Sequence, residues 1–192
     1  MQASHPLSLR QSGPLARGVL KIIGVAAIGI AAMALATNAA RAADLSSKDK
    51  SFMTDAAQAG HTEINASKIA LDKNRSPAVK DFAEAMIGDH TTAGDALAQL
   101  AASKNFTLPD GPSTMQKAKI AILRKLDGAT FDKQYASIIG ISAHEDAVKL
   151  FRDAAANAKD PDVKQFAAKT LPTLEHHLEM AKRLKTATDG EK

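Results

Sequence analysis

The sequence predicts an all-α fold, an antiparallel four-helix bundle with a short extra helix in the crossover between two helical hairpins. Three observations predict it. Hydrophobic residues make up 45% of the 192 residues but aromatics only 4%, a composition of alanine-rich helices rather than of a β-sandwich. Breaks are sparse: Pro77, then Pro109-Asp110-Gly111-Pro112, then Asp127-Gly128, then Pro161, with no strand-like alternation between them. An eight-residue segment also recurs, once at each junction between long helical stretches.

The chain opens on a leader. Residues 1–21 are polar and basic without an acid, Ile22–Ala36 is an uninterrupted apolar run, and Ala40-Arg41-Ala42 sets small residues at the −3 and −1 positions of a signal-peptidase site. Residues 1–42 therefore read as a cleaved signal peptide, and 43–192 as one helical bundle domain exported to the periplasm. The apolar run is short of the roughly 20 residues that a spanning helix needs, and no later stretch approaches it. The mature chain is expected to hold no transmembrane segment.

The helices follow in order. The first runs from Ser47 to Asn74 behind Ser46 or Ser47 as N-cap and stops at Ser76-Pro77. The second begins with Pro77 at its first position and Ser76 as N-cap, and reaches Asn105. A shorter helix, Ser113–Leu126, is closed by Gly128, and a fourth runs from Thr130 to Ala158. Asp160-Pro161 caps a last helix reaching Lys185, where Lys182, Arg183 and Lys185 suit the negative end of the helix dipole. Pro172 lies inside that helix and removes one backbone donor, which predicts a kink.

The repeat relates the two halves. Ser76-Pro77-Ala78-Val79-Lys80-Asp81-Phe82-Ala83 matches Asp160-Pro161-Asp162-Val163-Lys164-Gln165-Phe166-Ala167 at Pro, Val, Lys, Phe and Ala. Two hairpins related by pseudo-symmetry, joined by one long connection that holds the short helix, have the ferritin-like topology.

Composition excludes several functions. There is no cysteine, hence no disulfide framework, thiolate cluster or thiol nucleophile. The net charge of +4 belongs to the leader: Arg10, Arg17, Lys21 and Arg41 precede Ala43 without an acid, leaving 21 basic and 21 acidic residues beyond it. A nucleic-acid partner loses its electrostatic support.

The informative anomaly is one ionisable residue on the inward stripe of each long helix. Phe52, Ala56, Ala59, Glu63, Ala66 and Ala70 share a face of the first helix, with Ile64 and Leu71 competing for the inward position. Val79, Phe82, Met86, His90, Ala93 and Leu97 form the stripe of the second; Ile141, His144, Val148 and Phe151 that of the fourth; Val163, Phe166, Thr170, Leu174, His177 and Ala181 that of the last. Each of Glu63, His90, His144 and His177 sits near mid-helix, so the four can meet at one level. Three imidazoles and a carboxylate there would suit Zn, Mn or Fe. A hydrogen-bonded Glu63–His network without an ion satisfies the same pattern. His61 and His176 fall outside the stripes and are expected in solvent, as are Asp89 and Glu145 beside the inward histidines.

Phe52…Glu63-Ile64…Ala70, Val79-Lys80-Asp81-Phe82-Ala83…Asp89-His90, Phe131-Asp132…Tyr135…His144…Leu150-Phe151 and Thr170-Leu171-Pro172…His177-Leu178 together resemble the bacterial domain of unknown function 4142 family. The resemblance covers nearly the whole mature chain. It implies a secreted, ferritin-like bundle, an outer-membrane association carried by the family's usual label, and recurrent Glu and His positions at Glu63, His90, His144 and His177. It implies no established activity.

A di-iron ferroxidase centre needs Glu-x-x-His on two helices, and Glu63, Glu84, Glu145 and Glu175 are followed three residues on by Ala66, Ile87, Val148 and Leu178. At most one ion is expected. Phosphate loops, Gly-x-Ser-x-Gly, His-Glu-x-x-His and EF-hand loops are absent from the sequence. Two functions fit: a non-enzymatic envelope structural, stress-related or interaction module with an envelope partner, or a periplasmic mononuclear metal-binding or redox protein.

Overall fold

The structure is a computed structural model that describes residues 45–73 and 76–190. All of them belong to one compact unit spanning Ala40–Lys192. The leader lies outside the described residues. Among these residues the fold is all-helical: α1 (Ser47–Asp72), α2 (Pro77–Ser103), α3 (Thr114–Arg124), α4 (Gly128–Tyr135), a π-helical segment (Ala136–Ser142), α5 (Ala143–Asn157) and α6 (Pro161–Gly190). No described helix is long and apolar enough to cross a membrane.

Local chemistry sets most boundaries. Ser46 Oγ accepts from the Asp49 amide at the start of α1. The α2 helix ends in a Schellman turn: Asn105 takes a positive φ of 53°, Phe106 N–H donates to Ala101 O and Asn105 N–H to Ala102 O. Ser113 and Gln116 form a reciprocal capping box on α3. Asp160 Oδ1 accepts from the Asp162 and Val163 amides to cap α6, while its carboxylate meets Lys104 Nζ at 2.8 Å. Asp49 in turn accepts from the Lys159 and Asp160 amides, tying the α5–α6 turn to α1.

Several features differ from the sequence expectation. The expected single helix from Thr130 to Ala158 is three pieces, because the π-helical segment interrupts the α-helical hydrogen bonding. Ser76 stands at the α2 N-cap, yet its buried hydroxyl makes no capping bond. The last helix continues beyond Lys185 to Gly190 and is assigned without interruption through Pro172. Lys182 and Lys185 are therefore not terminal cations; they pair with Glu179 and Asp189 along the helix.

The helices form a closed four-membered ring. α1 packs on α2, α2 on α6, α6 on α5 with the π segment, and α5 on α1, while α3 lies against α1 and α4. Two apolar clusters fill the interior. One gathers Ala66, Ala70, Phe82, Met86, Tyr135, Ile139 and Ala181 with their neighbours; the other gathers Phe52, Met53, Leu97, Phe151, Val163 and Leu174 with theirs. Each long helix passes from one cluster to the other, α1 and α6 in one sense and α2 and α5 in the opposite sense. Every neighbouring pair is therefore antiparallel. The crossing point on each helix is a buried polar residue: Glu63, His90, His144 or His177.

Candidate metal centre

The layer between the apolar clusters is built from the backbone outward. In the π segment the i→i+4 pattern gives way to i→i+5 bonding, which changes how its carbonyls are placed relative to the following turn. The carbonyls of Ile139 and Gly140 both accept from His144 Nδ1, at 3.0 and 2.9 Å. Gly140 permits this because the π segment presses on α6: a Cβ there would sit 3.1 Å from Ala181 Cβ. With its proton held on Nδ1, His144 keeps the lone pair of Nε2 in the core, where it has no hydrogen-bond partner among the described residues.

His177 is fixed in the opposite tautomer. Its Nε2–H donates to Asp89 Oδ2 at 2.8 Å, leaving Nδ1 buried without a partner. His90 Nε2 is likewise buried and unpaired. One ligand nitrogen from each of His90, His144 and His177 lies within 4.8 Å of the other two. The ring centroids stand 5.7, 5.3 and 5.4 Å apart. Three imidazoles on a tetrahedral Zn²⁺, with Zn–N near 2.0–2.1 Å, would have centroids roughly 5 Å apart.

Burial dominates the electrostatics. It lowers the His90 pKa to about 3, helped by the neighbouring His144 and His177. It lowers His144 to about 4 against the pull of the Ile139 carbonyl. His177 is lowered by burial, with Asp89 opposing. All three are neutral imidazoles at neutral pH, the form that ligates metal. Burial pushes Glu63 the other way, well above the usual carboxyl range.

Of the four residues singled out in the sequence, the structure brings the three histidines together and places Glu63 behind them. Glu63 Oε1 is 3.9 Å from His144 Nδ1, on the side of the ring facing away from the free lone pair. Glu63 is buried, whereas its competitors Ile64 and Leu71 are half-buried. Its Oε2 is unpaired. Asp89 is exposed to solvent as expected, and it is also the hydrogen-bond acceptor that orients His177. His61 is half-buried rather than free in solvent, and it lines a pocket together with His90. His176 and Glu145 are exposed as expected.

The residues that orient the cluster had faint signals. Asp89 adjoins His90 at the edge of the stripe, and only the proximity of α6 gives it a partner. Gly140, an apparent flaw in the run Ile138-Ile139-Gly140-Ile141, marks the π segment.

A divalent ion held by three imidazoles keeps a fourth position for water or an added ligand. Imidazoles oriented by a carboxylate and by backbone carbonyls are the usual outer support of such sites.

Among curated proteins no relative matches. A solved structure from Deinococcus radiodurans, described as a crystal structure of a DUF305 fragment, is similar in fold. It has a TM-score of 0.66 and 13% sequence identity, and the match covers 76% of this chain and 99% of that one. The family model described as Domain of unknown function (DUF4142) matches residues 34–184. The helical bundle and its buried histidine layer are thus those of a chain that belongs to the DUF4142 family.

Proposed function

We propose that the protein is an exported, mononuclear metal-binding bundle whose ligands are His90, His144 and His177. The observation that carries it is three buried histidines, each offering a ring nitrogen within 4.8 Å of the other two and each carrying a buried ring nitrogen without a hydrogen-bond partner among the described residues. Most buried polar atoms in folded proteins are paired. A passive core network leaves these three nitrogens and Glu63 Oε2 unsatisfied, whereas one ion uses all three lone pairs.

The donor set favours Zn²⁺, then Fe²⁺, since imidazole suits both and Mn²⁺ prefers oxygen ligands. Glu63 supports the site from behind His144, and the ion's charge would draw its proton off. Export rests on the leader's charged, apolar and small-residue segments.

Elemental analysis of protein purified without a nickel column tests the reading. Near-stoichiometric zinc or iron in the wild type, lost in a folded His144→Ala variant, is expected. Metal-free wild type whose unfolding midpoint does not move on adding Zn²⁺ would overturn it.

A further inference from the structure

The crossover helix α3 is held by one face and exposes the other. Ile120 and Leu123 are buried in the apolar cluster that also takes Ala66 and Ala70 of α1. Away from that contact stand Met115, 72% exposed, and Ile122, 58% exposed, the two large apolar side chains that lie open among the described residues. Seven positions apart on one helix, they share a stripe with the exposed Ala118. Single exposed apolar residues are ordinary, but here both belong to the same stripe of one short helix.

Positive charge gathers on the same helix. Lys117, Lys119, Arg124 and Lys125 fall between Asp110 and Asp127 with no acid among them, in a domain whose 21 basic and 21 acidic residues balance. All four are exposed and none has an ion-pair partner among the described residues, whereas Lys73, Lys104, Arg152, Lys182 and Lys185 do. Lys117, Arg124 and Lys125 line an open groove of about 640 Å³ between α1 and α3, where Lys68 joins them and Asp72 is the one acid. Lys119 stands on the other side of the stripe, at a hollow that it shares with Asp55 and Asp146. At 100° per residue the cations thus border Met115 and Ile122 on both sides.

We propose that the outer face of α3 docks on an anionic phospholipid bilayer, with Met115 and Ile122 entering the boundary between headgroups and acyl chains and the four cations at the level of the phosphates. Apolar side chains bordered by Lys and Arg, on a helix lying in the plane of the interface, match that surface. Long cationic side chains keep their stems in the apolar layer and their charges among the headgroups. The 11 residues of α3 extend about 16 Å, so the helix lies on the bilayer and does not cross it. A bilayer receives protruding side chains without a preformed groove, and its phosphates complement the unpaired cations. A second copy of this chain does not, since α3 against α3 would oppose like charges. Ile120 and Leu123 keep their places in the core, so docking needs no unfolding. No histidine lies on α3, and the inference is independent of the metal reading.

The test is vesicle flotation of protein expressed from the full sequence, with vesicles of mixed phosphatidylglycerol and phosphatidylcholine against vesicles of phosphatidylcholine alone. Binding to the anionic vesicles only, released by about 0.5 M sodium chloride, is expected. Lys117→Gln/Lys125→Gln should weaken it about tenfold or more. Met115→Ser/Ile122→Ser, which removes apolar contact and leaves every charge, should weaken it to a similar degree. Lys149→Gln/Lys169→Gln takes the same charge from α5 and α6 and should bind like the wild type. These positions are all exposed, and helical circular dichroism checks that each variant is folded. Failure to float with anionic vesicles overturns the proposal, as does equal weakening by the Lys149/Lys169 pair. Binding indifferent to both α3 variants, which a retained leader would produce, overturns it as well. Retention on immobilised polyglutamate that needs Lys117 and Lys125, without vesicle binding, overturns it in favour of an acidic polypeptide.

Discussion

Replacing Glu63 by Gln exposes the protonation energetics of the buried layer. Burial, reinforced by the other two histidines, holds His90 neutral down to about pH 3, and burial holds His144 neutral down to about pH 4. Unfolded imidazoles protonate near pH 6.5. Both folded values lie below the unfolded one, so the stability these groups contribute is complete above pH 6.5 and is lost as pH falls toward the folded values. Between pH 7.5 and pH 5 each histidine then removes about 2 kcal/mol, and the two together about 4 kcal/mol. His177 acts in the same direction, its burial again opposed by Asp89.

Glu63 has the opposite sign. Its folded pKa is raised by burial, so it destabilises the fold above the unfolded carboxyl value, and acid relieves that penalty. In the wild type the two slopes oppose each other. Glu63→Gln removes the titrating carboxyl at nearly constant shape and leaves Asp89 and His176, which act on His177, in place. Metal-free variant should lose about 4 kcal/mol between pH 7.5 and pH 5, and the wild type distinctly less. Urea unfolding in EDTA, followed by helical circular dichroism with the m-value checked for constancy, measures both. A variant whose stability stays within about 1 kcal/mol over that interval would refute the burial of neutral imidazoles.

Glycine-to-alanine exchanges should have opposite signs along the bundle. At Gly60 and Gly94 the added methyl meets open space, so each should stabilise by about 0.5–1 kcal/mol in chemical denaturation. At Gly140 it meets Ala181 at 3.1 Å, so the π segment must shift; a loss of about 1 kcal/mol and weaker zinc binding by calorimetry are expected. Tyr135→Phe removes the buried hydroxyl bonded to Ser67 Oγ at 2.7 Å and should lower stability by about 1–2 kcal/mol. Adding Ser67→Ala should cost less than its effect alone, which a double-mutant cycle reads. Asp160→Ala removes the α6 cap and the Lys104 partner together. Its loss should be about 1–2 kcal/mol, with a smaller further effect of Lys104→Ala in that background than in the wild type.

Much of this architecture is legible in local chemistry. The caps at Ser46, Ser113 and Asp160 use residue types that compete for backbone donors in any context, and the 3.6-residue stripes identify the buried faces. Those stripes also single out Glu63, His90, His144 and His177, because an ionisable side chain in an apolar row is conspicuous whatever its partners. What the stripes cannot carry is the direction of a lone pair. Whether Glu63 stands among the imidazoles or behind them depends on how α1 is rotated against the π segment. The π segment itself comes from packing, since a glycine four residues before a histidine is compatible with an ordinary helix.

Helical segments, the caps at Ser46 and Asp160 and most of the buried faces follow from backbone sterics, local hydrogen bonds and hydrophobic periodicity, whereas the silent Ser76 cap and the break in the helix expected from Thr130 to Ala158 do not. Packing of the helices against one another is what brings three histidines together and sets Glu63 and Asp89 outside them. Tautomers, unpaired nitrogens and cavities are properties of several helices packed together, and no single helix encodes them.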